Sequence, residues 1–491
     1  MITAGKVPAV FRDRRLGLVL LAVFAARLPS LWEPRWAHDE GTLAAVADGL
    51  LHGGRLYVDV WDNQQPLVYG WMAVVLAVTH AWHPGMQLVL ALQVLVATAC
   101  VYGIAQRIGA RPAAAALLFG LVAALPIVEG NLQNVEVIGL PFLLGGVYLG
   151  ISGGVVRAVA GGALLVLAYL CQPGLGVEAL CVPWFLLLSG KPVRLLPLAL
   201  GGAAAGLLAW WLLWSAGSWD AYRGIAASER AYLVWANGGA ELAPITLALR
   251  LIPIGAALVA GLRIGWEQKT AAARLLGAWL PLAVLVCVTS PRGFMHYSLL
   301  ALAPLSLLLG QWVDRRLFVP VAIGLVLMLQ SMLYLPRLEM FIVGPWPIPK
   351  YEYADFGWAR LPGYYRDWYD RAIGVISWPA YAETFPDHPA SVEELAAAMK
   401  VQGTLFVWGD EPWLYVLSDR RPAGKYVNLN SAWKLEPRAQ ADAVGFVRGR
   451  RPEYLVVEAK PPSDLTRLLS QQYDRLRFMP GPWIVYGLHS G

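Results

Sequence analysis

Three consecutive polar residues, His38-Asp39-Glu40, follow the first long apolar segment of the chain, Leu16 to Trp32. A carboxylate can take a proton from an attacking group, which is the role of a general base. Charged side chains at the border of an apolar segment usually serve a function. We therefore take Asp39 and Glu40 as candidate catalytic residues. The alternative is that they are favourable charges at the N-terminus of a helix.

The composition is typical of a membrane protein. Of the 491 residues, 57% are hydrophobic and 15% are charged, and the mean hydropathy is +0.51. Soluble domains rarely combine these values. The net charge of +6 comes from basic residues that stand singly or in pairs at segment ends, which argues against a nucleic-acid partner. The four cysteines fall in or beside apolar segments and indicate no disulfide framework.

A membrane span needs about 20 mostly apolar residues, and the sequence predicts about eleven spans. They lie near residues 16–32, 86–106, 112–128, 137–153, 158–172, 176–190, 195–214, 243–262, 275–290, 297–313 and 317–335.

The distribution of basic residues predicts the orientation. Lys6, Arg12, Arg14 and Arg15 precede the first span, which places the N-terminus in the cytoplasm, and we expect this span to be retained. Every second connection then carries Lys or Arg, as inner connections do. An odd number of spans leaves the C-terminal region outside. We therefore expect a multi-pass protein of the bacterial cytoplasmic membrane with an extracytoplasmic C-terminal domain.

The first outer loop, 33–85, contains two further apolar stretches. Leu43, Val46, Ala47, Leu50 and Leu51 share one helical face, which predicts an interfacial helix that ends at His52-Gly53-Gly54. Pro66 to His80 is too short for a span, so we interpret it as a re-entrant or interfacial helix.

Domain boundaries follow from a change in composition. We predict a transmembrane domain over 1–335, a Pro- and aromatic-rich connecting segment over 336–390 and a soluble α/β domain over 391–491. Strand-length apolar runs occur at Thr404 to Trp408 and Tyr454 to Glu458. Ser391 and Glu394 have the spacing of a capping box, which predicts a helix to about Lys400.

The predicted outer loops bring compatible chemistry to one side of the membrane. The first loop supplies Asp39, Glu40, Asp59 and Asp62, the second supplies the stretch Glu129 to Glu136, and a later one supplies Arg292, His296 and Tyr297. Acids, a base and a cation are the groups that a transfer reaction needs.

Several motifs in this arrangement are similar to a known family. The acidic pair, the G-x-x-x-Y-x-D stretch from Gly53 to Asp59 and the Pro-Leu-x-Tyr element from Pro66 to Tyr69 resemble the C-type (GT-C) integral-membrane glycosyltransferases of the protein O-mannosyltransferase and aminoarabinose-transferase kind. Most of the similarity lies between Asp39 and about Gly150. The stretch Arg292 to Leu305 supports it.

The resemblance implies transfer of a sugar from a polyprenyl-phosphate carrier to an acceptor hydroxyl at the outer face, with inversion. It implies that Asp39 is the general base and that Glu40 holds the loop or the acceptor. Glu136 matches the second acidic position of the family. Arg292, His296 and Arg250 are candidates for binding the donor phosphate. Asp59, Gln64 and Tyr297 complete the substrate-binding set. Asp39 and Glu136 are also compatible with a shared divalent cation, Mg²⁺ or Mn²⁺, although no dense ligand cluster requires one.

The chain departs from the family at one position. Aminoarabinose transferases often carry Lys before a double proline, whereas this chain has Asn63-Gln64-Gln65 before Pro66. A neutral amide cannot neutralise a phosphate, so another cation must replace the lysine or the donor is held differently.

Two other functions remain open at this point. A secondary transporter or a flippase for lipid-linked saccharides would place charges near the bilayer midplane, often within internal repeats. A surface-polysaccharide polymerase or ligase would share the lipid-linked substrates but use clustered arginines, and Arg420-Arg421 offers a faint match.

The stretch Trp408 to Trp413 is rich in groups that contact sugars, although packing of a strand and a turn explains it equally well. The acceptor can be a glycan, a lipid or a protein.

Overall fold

The computed structural model describes residues 13–236, 243–289, 295–312, 361–399, 403–436, 438–458, 460–476 and 480–489. The predicted span 317–335, the boundary at 335/336 and Arg292 lie outside the described residues. The chain divides into two compact units. The first, here called the apolar unit, comprises Met1–Ser30, Gln87–Ala209 and Leu233–Leu361, and the second, the mixed unit, comprises Leu31–Met86, Trp210–Tyr232 and Pro362–Gly491. The predicted domain boundaries stay predictions.

The described part of the chain is mostly helical. In chain order the α-helices are α1 Arg14–Ala26, α2 His38–Leu51, α3 Pro66–Thr79, α4 His83–Ile108, α5 Pro112–Ala123, α6 Val135–Ser152, α7 Val155–Tyr169, α8 Pro173–Ala179, α9 Cys181–Leu188, α10 Leu195–Ser215, α11 Trp219–Ala236, α12 Ala243–Gln268, α13 Ala271–Thr289, α14 Ser298–Trp312, α15 Leu361–Ala372, α16 Trp378–Ala382, α17 Pro389–Ala398, α18 Trp413–Ser418, α19 Leu429–Leu435, α20 Ala439–Arg450 and α21 Ser463–Gln472. The strands are β1 Thr404–Trp408, β2 Arg421–Pro422, β3 Tyr454–Val457, β4 Tyr473–Arg475 and β5 Ile484–Leu488.

Three helices among the described residues are long and apolar enough to cross a membrane, namely His83–Ile108, Val135–Ser152 and Pro192–Ser215 when its preceding 3-10 turn is included. Shorter apolar helices occupy Pro66–Thr79, Pro112–Ala123, Val155–Tyr169, Pro173–Leu188, Ala271–Cys287 and Ser298–Gln311. Helices therefore occur at each predicted span that the structure describes.

One predicted span differs from a continuous helix. The sequence predicts a single segment over 176–190, but two helices, α8 and α9, meet at Leu180. Pro183 has no N–H to donate to the carbonyl of Ala179, and its ring would clash with that carbonyl. The break coincides with a proline inside the apolar run.

Helices of the apolar unit approach each other closely where glycines face one another. In the pair α12 and α13, a Cβ atom on Gly261 would lie 2.0 Å from the carbonyl oxygen of Gly277, and a Cβ atom on Gly277 would lie 2.2 Å from that of Gly261. Only glycine permits this contact, which is the small-residue packing typical of membrane helices. The unit's core is apolar, and Trp279 of α13 is fully buried.

The first loop lies in the mixed unit and forms the two predicted helices. Helix α2 ends at Leu51, and Gly53 follows with a positive φ of 85°. Helix α3 begins at Pro66, which occupies the first helical position, where its missing N–H costs nothing. The helix over 43–51 is confirmed, and it starts earlier than its apolar pattern, at His38.

A five-stranded sheet forms the centre of the C-terminal part of the mixed unit, with strand order β2-β1-β3-β5-β4. Strand β1 pairs in parallel with β2 and β3, whereas β5 is antiparallel to β3 and β4. Phe406 of β1 lies opposite Leu455 of β3, and both are fully buried. Continuous apolar runs are typical of strands that are buried on both faces. The expected small α/β fold is confirmed.

The capping box at Ser391 was a wrong prediction. Helix α17 begins at Pro389, and its N-cap is His388, which has a left-handed backbone with φ 51° and makes no side-chain cap. Proline is favoured at the first helical position because its φ is already helical. The helix therefore starts before Ser391 and ends at Ala398.

Candidate active site

Asp39 and Glu40 occupy the first turn of α2 and have opposite environments. Asp39 is exposed, whereas the side chain of Glu40 is buried. Successive residues of a helix point about 100° apart, so neighbouring acids can face solvent and protein. Arg35 lies near Glu40, and burial lowers the pKa of its guanidinium although the negative charges of Glu393 and Glu40 oppose this. Asp39 is thus the accessible carboxylate, and Glu40 belongs to the interior of the loop.

Asp62 is a second carboxyl group close to Asp39, and it is buried. Its Oδ2 accepts a hydrogen bond of 2.7 Å from the hydroxyl of Tyr69. Burial raises the pKa of Asp62 to about 6, and the negative charges of Asp39 and Asp410 add to this effect, against the hydrogen bonds from Tyr69 and Asn63. Asp39 therefore lies near other acidic groups, and one of them, Asp62, has a raised pKa.

The residue that precedes Asp39 lies among three acids from the C-terminal part of the mixed unit. His38 Nε2 is 3.4 Å from Glu411 Oε2 and 3.6 Å from Asp387 Oδ2, and His38 Nδ1 is 3.7 Å from Asp410 Oδ2. We call His38, Asp387, Asp410 and Glu411 the His38 cluster.

The His38 cluster favours a protonated imidazole. Burial alone would lower the pKa of His38, but Asp410 and Glu411 outweigh burial and raise it well above its ordinary value. The pKa of Asp410 is lowered, because the interactions with His38 exceed the effect of burial. Burial raises the pKa of Glu411 despite His38. Asp410 and Glu411 therefore both interact with the imidazole, and Glu411 is the nearer of the two.

The segment between α2 and α3 is held by hydrogen bonds to its backbone. The hydroxyl of Tyr57 donates to the carbonyl of Gln64 at 2.8 Å, and the amide of Gln64 donates to the hydroxyl of Tyr69 at 2.9 Å. The hydroxyl of Tyr222 donates to Gln65 Oε1 at 2.8 Å. The predicted substrate-binding residue Gln64 thus lies on a fixed backbone with a half-buried side chain.

Asp59, another predicted substrate-binding residue, lies at the surface. Its Oδ2 accepts from Arg55 Nε at 2.8 Å and from the amide of Arg55 at 3.0 Å. The carboxylate is 45% exposed. Asp59 therefore has the contacts of a turn-forming residue, and a substrate role stays a prediction.

Glu136 is buried in the apolar unit beside His296. Its Oε1 accepts from Gln172 Nε2 at 2.6 Å, and its Oε2 lies 4.0 Å from His296 Nε2. His296 Nδ1 lies 2.5 Å from Glu129 Oε2. Glu129, Glu136, Gln172 and His296 are therefore close together in the apolar unit.

Asn134 organises this polar network. It is the N-cap of α6, where its Oδ1 accepts from the amide of Val137 at 3.1 Å, and its Nδ2 donates to the carbonyl of Glu129 at 3.1 Å. Glu129 has a left-handed backbone with φ 52°, an uncommon conformation for a residue other than glycine. One amide side chain thus fixes the helix start that carries Glu136 and the turn that carries Glu129.

The remaining predicted residues have less definite surroundings. Tyr297 is half-buried beside His296, with ring centroids 4.6 Å apart, and its carbonyl accepts from the thiol of Cys287 at 3.0 Å. Arg250 lies on α12, but its side chain, like all of Arg292, is outside the described part. The convergence of positions 39, 136 and 292 on one site stays a prediction.

Sequence reasoning missed several members of these clusters. Glu129 belongs to the predicted outer loop Glu129 to Glu136 but was given no role, and Gln172 is the last residue of the predicted span 158–172. Arg27 is 1% exposed at the end of α1, and its NH1 donates to the carbonyl of Gly130 at 2.5 Å. For Asp387 no signal in the sequence points to His38, because the two are hundreds of residues apart.

Two motifs from the sequence are explained by packing. Trp408 and Trp413 are buried, with 0% and 1% exposure, so they are not open faces for stacking on a sugar. Arg420 is also buried, and it donates to the carbonyl of Met399 at 2.6 Å and to Glu453 at 2.9 Å. These contacts favour a structural role over the arginine cluster of a ligase.

Within the described residues, no group of three or more His, Cys, Asp or Glu side chains has the spacing of a metal site. A divalent cation shared by Asp39 and Glu136 stays a prediction.

Comparison with known proteins gives a result for the fold. No protein-family model matches the chain, and no curated protein matches it. Among solved structures, it is similar to the crystal structure of ArnT from Cupriavidus metallidurans in the apo state, with a TM-score of 0.54 and 16% sequence identity. The match covers 96% of this chain and 97% of that chain. The chain therefore has the GT-C fold of a helical membrane protein, with a small sheet near its C-terminus.

Proposed function

We propose that this protein is an inverting membrane glycosyltransferase that moves a sugar from a polyprenyl-phosphate carrier to an acceptor hydroxyl at the extracytoplasmic face. The observation that carries this proposal is the exposed carboxylate of Asp39, on the first turn of α2, in a chain with the GT-C fold. The acceptor is a glycan, a lipid or a protein.

The proposed reaction uses one base and one leaving group. The carboxylate of Asp39 takes the proton of the acceptor hydroxyl as its oxygen attacks the anomeric carbon. The bond from this carbon to the phosphate oxygen breaks, and polyprenyl phosphate leaves with the bonding electrons. Attack from the side opposite the leaving phosphate inverts the anomeric centre.

A cation must stabilise the phosphate as its negative charge grows. Arg292, Arg250 and His296 are the predicted groups. Because His296 lies beside Glu129 and Glu136, we favour the arginines for the phosphate and assign His296 to the orientation of Glu136.

Glu136 has the contacts of a positioned carboxylate. Gln172 binds one of its oxygens at 2.6 Å, and the other faces His296. Such a group can orient an acceptor hydroxyl through hydrogen bonds. The scheme routes no step through a metal ion.

The proposed location is the bacterial cytoplasmic membrane, with the N-terminus in the cytoplasm and the C-terminal domain outside. The basic residues of the predicted inner connections support this orientation. Polyprenyl-phosphate sugars are membrane-bound, so a helical membrane fold can bind the carrier from the bilayer.

The test is to incubate the purified protein with a panel of polyprenyl-phosphate sugars and acceptor-containing membranes, and to measure release of free polyprenyl phosphate. Asp39→Asn should lower this release at least about 100-fold, because it removes the general base. Asp48→Asn is the matched control, since Asp48 lies on the same helix near its other end.

Substantial turnover by Asp39→Asn would remove Asp39 from the mechanism. Movement of the intact lipid-linked sugar across the membrane without release of lipid phosphate would favour a flippase.

A further inference from the structure

We propose that His38 is a positioning residue for Asp39, through which the C-terminal α/β fold holds the first turn of α2. The inference rests on the proposed function of Asp39. It assigns the C-terminal part of the chain a role in the catalytic unit.

The distances around the imidazole are those of ion pairs, and they favour a positively charged ring. Both ring nitrogens of His38 face carboxylate oxygens, with distances of 3.4 Å to Glu411 and 3.7 Å to Asp410. A neutral imidazole carries a proton on one nitrogen only, whereas the imidazolium carries a proton on both. The side chain is 14% exposed, so these charges attract each other more strongly than they would at the surface.

Neutral contacts from the C-terminal part also bind the start of α2. The indole Nε1 of Trp413 donates to the carbonyl of Ala37 at 3.0 Å, and the Trp413 ring is so close to Gly41 that a Cβ atom there would lie 2.8 Å from it. The amide of Asn428 donates to Thr42 Oγ1 at 3.1 Å. Residues on each side of Asp39 are therefore bound by the C-terminal part.

Helix α2 depends on these contacts because it has no cap of its own. Its N-cap residue is Ala37, which makes no side-chain hydrogen bond to the first turn. A helix of 14 residues is marginal in isolation, and most of its stability comes from tertiary packing. The first turn, which carries Asp39, therefore takes its position from its neighbours.

The cluster has an excess of negative charge that His38 partly neutralises. The charged groups that surround it are Asp387 before α17, Asp410 and Glu411 between β1 and α18, Glu458 after β3, Lys434 on α19, and Arg35, Asp39 and Glu40 around the start of α2. Loss of the imidazolium charge would leave the carboxylates to repel one another across the first turn.

The direction of the pH effect follows. The pKa of His38 is raised in the folded protein. The stabilisation that the imidazolium gives to the first turn is therefore complete below the ordinary histidine pKa, and it is lost as pH rises through the pKa of the folded state. The proposal therefore predicts an alkaline fall in the turnover number kcat.

The experiment compares His38→Gln, His38→Arg and His52→Gln in the full-length protein in nanodiscs. His38→Gln should lower kcat roughly 10- to 100-fold with little change in KM for the donor, since displacement of a base by about 1 Å has effects of this size. His38→Arg keeps the charge and should restore kcat and move the alkaline fall to higher pH. His52→Gln alters the opposite end of α2 and should behave as wild type.

Hydrogen exchange supplies a measurement that needs no activity. The amide of Gly41 donates to the carbonyl of Ala37 at 3.0 Å, and His38→Gln should speed exchange at 41–44 and at 410–413 at constant pH, but not at 47–51. If exchange behaves so while no form releases lipid phosphate, the positioning stands and the proposed function fails. Wild-type kcat and wild-type exchange in His38→Gln would overturn the positioning, and so would a uniform rise in exchange across the mixed unit.

Discussion

Replacing Asp62 by asparagine should make the stability of the mixed unit less dependent on pH. Asp62 is buried, and burial with the nearby charges of Asp39 and Asp410 raises its pKa from 3.8 to about 6. A carboxyl group whose pKa is raised by folding stabilises the folded state below its unfolded pKa. This stabilisation is lost as pH rises through the folded pKa, which here means between about pH 4 and pH 6.

The magnitude follows from the change in pKa. One pKa unit corresponds to about 1.4 kcal/mol, so ionised Asp62 costs the folded unit roughly 3 kcal/mol relative to the protonated form. Between about pH 4.5 and about pH 7.5, the ionisation of Asp62 lowers the free energy of unfolding of the wild type by roughly 2 kcal/mol. For a unit of about 200 residues, the Tm of Asp62→Asn minus the Tm of wild type should therefore be roughly 4–8 °C larger at the higher pH than at the lower pH.

The assay is thermal unfolding of the purified protein, followed by intrinsic tryptophan fluorescence across this pH range. Asparagine keeps an oxygen that can accept the Tyr69 hydrogen bond, so the variants differ mainly in charge. Asp59→Asn is a control of opposite sign, since hydrogen bonds from Arg55 lower the pKa of Asp59 and its small contribution is lost as pH falls. Parallel Tm curves for Asp62→Asn and wild type would refute the reasoning.

Two further predictions concern the apolar unit. Gly277→Ala should lower the apparent Tm of this unit, because the added Cβ would lie 2.2 Å from the carbonyl oxygen of Gly261. Gly255→Ala is the control on the helix that carries Gly261. A Cβ atom at Gly255 would have no neighbouring atom within 4 Å, so this variant should keep the Tm within about 2 °C of wild type. Glu129→Gln should destabilise the unit by about 1–3 kcal/mol by weakening a charge-assisted hydrogen bond to His296, and in a double mutant with His296→Gln the losses of Tm should be less than additive.

Local sequence patterns predicted the elements that depend on local chemistry. The apolar run Thr404 to Trp408 forms β1 with those bounds, because its short length and its β-branched and aromatic residues distinguish a buried strand from a helix. The sequence analysis did not predict the break at Leu180 or the start of α17 at Pro389. Both helix boundaries lie at or near a proline. The first prediction rested on an apolar run and the second on a capping-box spacing, and neither considered the effect of a proline on the helix boundary.

The candidate site was only partly predictable. Asp39 and Glu136 stand out because acids at the ends of apolar segments are uncommon, and the structure adds the partners that distinguish them. Nothing in the local sequence of Asp410 or Glu411 indicates His38, because ion pairs across such separations depend on the tertiary fold. Trp413 was equally ambiguous, since a sugar platform and a core residue share the same side chain until its burial is known.

The arrangement of the mixed unit explains why a small sheet accompanies the first loop. A general base must be held within about 0.5 Å of its productive position, yet Asp39, the proposed base, lies on a short helix whose N-cap, Ala37, has no capping side chain. The C-terminal fold supplies what the helix lacks, through Trp413 to the backbone of Ala37 and through acids to His38. Since Leu31–Met86 and Pro362–Gly491 belong to one compact unit, removal of the C-terminal part should leave α2 without its contacts and abolish activity, even though every predicted catalytic residue would remain.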